Sequence, residues 1–133
     1  QILIMELLTW MNNNKADYTN TFCFLMNEKF YNNEIYNDKN FLIWKKKWKN
    51  RLKLKNNNNQ KKYLELMRSV NPLVIPRNHK VEEAITSANE GNLKVMNKLL
   101  AILKKPYEKK FIENSYYFPV IKKNQKYQTF CGT

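Results

Sequence analysis

A chain of 133 residues with 43% apolar and 14% aromatic side chains holds enough core-forming material for one folded domain, which excludes a disordered tether, and its longest apolar runs fall far short of the roughly 20 residues a membrane span needs. Two cysteines, Cys23 and Cys131, without metal-ligand spacing, and one histidine, His79, exclude a disulfide-dense scaffold and leave no zinc site to assemble. The net charge of +13 raises nucleic acid as a partner, yet only Arg51, Arg68 and Arg77 among 24 basic residues are arginine, against 21 asparagines, so the surplus reads as solvated lysine surface.

The chain opens QILIMELLTWM, without an initiating methionine and already in a helical pattern, with Ile4, Leu7, Leu8 and Met11 on one face. Such an opening is expected of a piece of a longer protein, with an apolar flank over residues 2–10 left uncovered. The first helix is predicted over residues 1–14, closed by Asn12-Asn13-Asn14. Asp17 or Thr19 can cap a second helix whose stripe is Tyr18, Phe22, Leu25 and Met26. Cys23 lies near that stripe and reads as a small buried hydrophobe, a reactive thiol being the alternative.

After a polar break over residues 31–37, Asp38 caps a third helix in which Phe41, Trp44, Trp48 and Leu52 form a single apolar seam. Lys45, Lys46, Lys47, Lys49, Arg51 and Lys53 occupy its other faces. Interleaved Trp and Lys can stack bases and bind phosphate, but base-stacking aromatics have no reason to keep helical register, so core packing is the more economical reading. Residues 56–60 read as a low-complexity linker or a solvated junction. A short helix, KKYLELMRS, stops at Asn71-Pro72, and PLVIPRNH follows as an extended connector pinned by Pro72 and Pro76.

Asn78 is the predicted cap of the next helix, with Val81, Ala84, Ile85 and Ala88 inward and Glu82 and Glu83 near its positive end. Gly91 ends it. Asn92 starts a partner helix whose inward face is Leu93, Met96, Leu99, Leu100 and Leu103, and so short a connection requires an antiparallel hairpin. Pro106 stops that helix. Beyond it the period is lost, and Tyr107, Phe111, Tyr116, Tyr117, Phe118 and Tyr127 are scattered. The predicted organisation is therefore a helical region over 1–105 and an extended aromatic tail over 106–133, lying across something larger. In the terminal YQTFCGT, Cys131 stands third from the end between Phe130 and Gly132, where a thiol has little packing to do.

Three stretches in this order, ADYTNTF at 16–22, NPLVIPRNHKVEEAI through EGNL to LLAILKKPYE between 71 and 108, and YQTFCGT at 127–133, resemble the C-terminal portion of the selenoprotein O family. The WKKKW region matches the tryptophan-bearing helix of that family more loosely. The resemblance implies an all-α C-terminal region of a protein kinase-like fold, in a family once regarded as pseudokinases. It implies a whole protein that binds ATP in reversed orientation and, with Mg or another divalent metal, transfers AMP to Ser, Thr or Tyr hydroxyls of other proteins while pyrophosphate leaves. Such chemistry needs cationic and metal clamps around the phosphates.

None of those parts is visible here: there is no Gly-rich phosphate loop, no strand Lys paired with a helix Glu, no catalytic-loop Asp and no Asp-Phe-Gly. No catalytic, nucleotide-binding or metal residue is therefore assigned, and the chain is expected to be silent alone. Its expected partners are the kinase-like core of the same polypeptide and, for the whole enzyme, protein substrates, with no specific nucleic acid and no membrane. One residue carries over by resemblance. Cys131 matches a position that is selenocysteine or cysteine in the family, which implies a redox role in which it pairs with a cysteine of the activation segment. An unpaired surface thiol is the alternative, and pairing with Cys23 is less favoured because Cys23 reads as buried. Arg77, Asn78 and His79 form a family-like stretch that either docks on the catalytic core or, the favoured reading, serves helix capping and connector hydrogen bonds. The expected setting is cytoplasmic in a bacterium and mitochondrial in a eukaryote. The rival hypotheses are a self-contained basic helical module binding RNA or DNA, and a degenerate gene product retaining only this portion.

Overall fold

Every regular element among the described residues of this computed structural model, 1–28, 33–55, 60–108 and 114–118, is helical. The elements are α1 (Ile2–Asn13), α2 (Tyr18–Met26), a 3-10 helix (Glu34–Asn37), α3 (Lys39–Lys55), α4 (Gln60–Val70), α5 (Asn78–Asn89), α6 (Lys94–Leu103) and α7 (Asn114–Tyr117). None is long and apolar enough to cross a membrane. The all-α expectation holds.

Local chemistry explains where the helices start. Asp17 caps α2 by accepting a hydrogen bond from the Asn20 N–H at 2.8 Å, and Asp38 caps α3 by accepting from Phe41 N–H at 3.0 Å. The same Asp38 oxygen accepts the Trp10 indole N–H at 2.7 Å. The Phe41 backbone bond first, and the Trp10 bond second, hold the Asp38 carboxyl below the usual aspartate range. In return Trp44 donates its indole N–H to the Leu3 carbonyl at 2.7 Å, so two tryptophans, one from each helix, clasp α1 to α3.

That clasp decides which side of α1 is inside. Leu7, Trp10 and Met11 are buried, whereas Ile4 is 64% and Leu8 37% exposed, so the predicted face of Ile4, Leu7, Leu8 and Met11 is rotated from the real one. A helix that is apolar on most sides does not reveal its buried arc through periodicity; the indole's need for a partner does. The uncovered flank expected over 2–10 is present at Ile2, Ile4, Met5 and Leu8, but Trp10 is not part of it.

On α2, Tyr18 of the predicted stripe is 61% exposed, while Thr21, Cys23, Phe24, Leu25 and Met26 are all buried. This short helix is enclosed from several sides, which a one-face stripe does not anticipate. Cys23 has no exposed surface and its Sγ lies 3.5 Å from the Pro72 carbonyl oxygen, in agreement with the small buried hydrophobe expected there. Residues 31–37 are not simply a polar break. Glu34–Asn37 form the 3-10 helix, Asn33 caps it through the Ile35 N–H at 3.3 Å, and Tyr36 is buried with its ring stacked 4.0 Å from that of Phe24.

The α3 seam is as predicted. Phe41 and Trp44 are buried, Trp48 and Leu52 half-buried. Lys45 and Lys49 pair with Glu28, and Lys47 with Glu6. The linker expected at 56–60 falls almost wholly outside the described residues, with Gln60 beginning α4.

Helices α5 and α6 form the expected hairpin. The fully buried Ala84 lets the backbones approach closely, and Leu99 of α6 is buried in the same core. Leu93 and Leu100, predicted inward, are 57% and 47% exposed, and Ile85 is 41% exposed; the packed arc of α6 runs instead through Val95, Met96, Leu99, Ile102 and Leu103. Asn78 is not the cap: it is the first helical residue and exposed, and Arg77 holds the cap position without a capping side-chain bond. Its guanidinium is engaged elsewhere.

At the other end of α5, Gly91 has φ +82°, and Gly91 N–H donates to the Ala88 carbonyl and Asn92 N–H to the Ser87 carbonyl, both at 2.9 Å, the paired bonds of a Schellman turn. A methyl group added at Gly91 meets nothing within 4 Å, so Gly91→Ala is expected to destabilise by about 1 kcal/mol through left-handed backbone strain alone. Urea unfolding checks this, and Gly91→Asn should cost measurably less.

The connector after α4 is tied to the hairpin's end by Leu73 N–H donating to the Pro106 carbonyl at 2.8 Å. Within the segment predicted as an extended tail, Asn114–Tyr117 form one helical turn, with Tyr116 and Tyr117 each 3% exposed. The turn is held by tertiary bonds that a local pattern does not encode, from Arg77 to the Tyr117 carbonyl at 3.0 Å and from His79 to the Ser115 carbonyl at 2.9 Å. Residues 109–113 and 119–133 lie outside the described residues.

Candidate functional site

Asp17, fixed at the start of α2 by its capping role, turns its carboxylate towards the connector that precedes α5. From the extended backbone there (φ −72°, ψ 131°) the Arg77 side chain runs inward and is 8% exposed. Its Nη1 donates to Asp17 Oδ2, and its Nη2 donates to Asp17 Oδ1 at 3.1 Å, to Asn20 Oδ1 at 3.0 Å and to the Tyr117 carbonyl at 3.0 Å. The planar fork meets a carboxylate edge-on, an arrangement lysine cannot reproduce. Only Nε is buried without a partner.

Two residues on, His79 Nε2 donates to the Ser115 carbonyl at 2.9 Å. The Tyr116 ring lies beneath Lys80 Nζ at 4.8 Å and Lys98 Nζ at 5.6 Å. Burial pushes the Tyr117 phenol above its ordinary value. Three distant segments, ADYTN, RNH and SYY, therefore meet around one guanidinium. Arg77 and His79 point inward and make connector hydrogen bonds, with only Asn78 on the outside.

What this cluster can do is hold, and what it holds is α7. Arg77 makes four hydrogen bonds to protein acceptors, one through Nη1 and three sharing the two N–H groups of Nη2, and the Asp17 carboxylate is filled by Arg77 and the Asn20 N–H. Among the described residues no group of three or more His, Cys, Asp or Glu side chains is placed to hold a metal ion. The ATP and divalent metal implied for the whole protein do not fit this donor set, so no chemical step is derived from it.

Of the residues singled out by sequence, Cys131 lies outside the described residues. Cys23 is fully enclosed, a position with no access for an exchanging thiolate. None of the three tryptophans is exposed, and Lys45, Lys47 and Lys49 are paired with carboxylates, so among the described residues the tryptophans of α3 are packed rather than presented for stacking bases. Asn20, Ser115 and Tyr117 were not anticipated. The one available signal was that two of the segments that meet here lie in the same stretches that carried the resemblance.

Comparison with known proteins gives these observations a frame. A family model described as protein adenylyltransferase SelO matches residues 1–104. The protein nucleotidyltransferase YdiU of Pelagibacter ubique (strain HTCC1062) is 52% identical over 131 residues, covering 98% of this chain and 27% of the relative. The proteins of the same name from Bacillus anthracis (strain CDC 684 / NRRL 3495) and Bacillus mycoides (strain KBAB4) are each 41% identical over 134 residues, covering 100% of this chain and 27% of their own length. No solved structure matches. The chain thus spans about a quarter of the length of the curated relatives it matches, 27% in each case. With the family model covering residues 1–104 and relatives aligned nearly end to end, the chain belongs to the SelO family of protein adenylyltransferases.

Proposed function

We propose that this chain is the C-terminal helical brace of a longer adenylyltransferase, and that its tail presents Cys131 as a redox tether. The observation that carries the reading is the match over 98% of this chain to a nucleotidyltransferase of which it makes up 27%. In this reading the longer protein moves AMP from ATP, with a divalent metal, onto a Ser, Thr or Tyr hydroxyl of another protein, and pyrophosphate leaves. The residues here contribute position. The bonds from Arg77 and His79 to the Tyr117 and Ser115 carbonyls hold α7 against the helical body and so set where the chain beyond it starts. Cys131 then closes a disulfide with a second cysteine of the longer protein when a disulfide oxidant such as oxidised glutathione takes up the two electrons and two protons, and reopens on reduction.

The test is AMP incorporation from labelled ATP and Mg, read by mass spectrometry on the enzyme itself and on added acceptor protein. Transfer by the longer protein, none by the 133-residue chain alone, and loss of the dithiothreitol-reversible change in rate on Cys131→Ser are expected. Transfer by the isolated chain, or none by the longer protein, overturns the brace; a redox response unchanged in Cys131→Ser overturns the tether.

A further inference from the structure

Helix α1 is apolar on nearly every side. Of residues 2–11 only Glu6 and Thr9 are polar, and a helix apolar all round belongs in an interior. Here one arc is covered, by Leu7, Trp10 and Met11, while Ile2, Ile4 and Met5 are 79%, 64% and 60% exposed. On one flank Ile2, Met5 and Thr9, at helical spacing, line a groove of about 770 Å³ whose far wall includes Ile43 of α3, itself 48% exposed. Single exposed apolar side chains are ordinary. A contiguous set on two packed helices marks an interface.

We infer that this face, the outer side of α1 together with Ile43, seats an apolar segment of the same polypeptide, from the part that the curated relatives possess beyond the region matched here. The inference rests on the reading of this chain as one part of a longer adenylyltransferase. Three observations choose the occupant. The relatives carry the greater part of their length outside the match, which covers 27% of them. A second copy is disfavoured because each copy brings a net charge of +13, and like-charged surfaces repel. Of the groove's charged residues, Glu6 and Lys47 are paired with each other at 2.8 Å and Asp38 accepts from the Trp10 indole and the Phe41 N–H, so no unpaired cationic side chain there invites the anionic partner that the lysine-rich surface elsewhere would attract. The RNH stretch, the other docking candidate, is turned inward and already occupied.

The test uses the longer protein with a photoreactive benzophenone residue placed at Met5 or at Ile43, and at Ile85 on α5 as a control of similar exposure (41%). After irradiation, proteolysis and mass spectrometry, the Met5 and Ile43 probes should cross-link to peptides of the same polypeptide outside the 133 residues, and the Ile85 probe should not. Met5→Asp and Ile43→Asp should each lower the melting temperature of the longer protein by several degrees, with Ile85→Asp close to wild type. Cross-links that join two copies, an absence of cross-links from both positions, or Asp variants that melt like wild type would overturn the inference. These readouts do not involve AMP transfer. An inactive protein that cross-links as stated leaves the inference standing while the enzymatic reading falls, and an active protein without the cross-links overturns the inference alone.

Discussion

Arg77→Ala is expected to lower the free energy of unfolding by about 3 kcal/mol, the lower end of the range for breaking a buried ion pair, because Asp17 keeps some hydration. The side chains of Arg77 and Asp17 are 8% and 24% exposed. The substitution strands more than one partner. Asn20 Oδ1 and the Tyr117 carbonyl lose their donor together with Asp17, and a buried acceptor left without a partner keeps its full desolvation penalty. Arg77→Lys should recover less than half of the loss, since one ammonium cannot span acceptors belonging to three residues. Urea unfolding measures the energy. Hydrogen exchange separates the latch from general destabilisation: the amides around Ser115 and Tyr117 should exchange faster under conditions where those of the α5–α6 hairpin still hold. A loss below about 1 kcal/mol, the size of an exposed pair, would show that the cluster is not a latch.

Phe41→Ala should cost more, about 3–5 kcal/mol, as large-to-small changes at enclosed aromatic positions do. Phe41 has no exposed surface, and its ring centroid lies 4.5 Å from that of Trp10, 5.3 Å from Tyr36 and 5.8 Å from both Phe24 and Trp44. Its ring is thus the common neighbour of α1, α2, the 3-10 helix and α3. The cavity left by alanine cannot close readily, because both neighbouring indoles are tied by hydrogen bonds, Trp10 to Asp38 and Trp44 to Leu3. Phe41→Leu refills most of the volume and should cost about 1.5 kcal/mol or less. Thermal unfolding followed by tryptophan fluorescence checks both, because the same two indoles report solvent entering the cluster. A Phe41→Ala protein as stable as wild type would mean that the ring cluster does not organise the N-terminal half.

The two sites differ in how far the sequence pointed to them. Phe41 was legible: it stands in a seam at helical spacing, three residues after a capping aspartate, and α3 buries that seam. Arg77 was legible as part of the RNH stretch, with docking or capping and connector hydrogen bonds as its readings, but its partners were not. Its partners are 60, 57 and 40 positions away in the chain, and no local pattern encodes such distances. The same limit produced the rotated faces of α1 and α6. Both helices carry more apolar residues than one packed arc can use, so their spacing permits several orientations, and contacts with α3 and α5 select among them.

By itself the sequence determined what acts over a few residues: Asp38 as a cap and Asp17 or Thr19 as another, Pro72 and Pro106 beyond helix ends, Gly91 at a helix end that takes a left-handed residue, and the strings that ally the chain with its family. Those features are local hydrogen bonds and steric exclusions, complete within a turn or two of chain. The tertiary structure alone decided which arcs are buried, that Tyr116 and Tyr117 return to the body as a helical turn, and that Arg77 closes on Asp17. Each of these depends on which distant group arrives in reach once the chain has folded back, and only the packed arrangement supplies that.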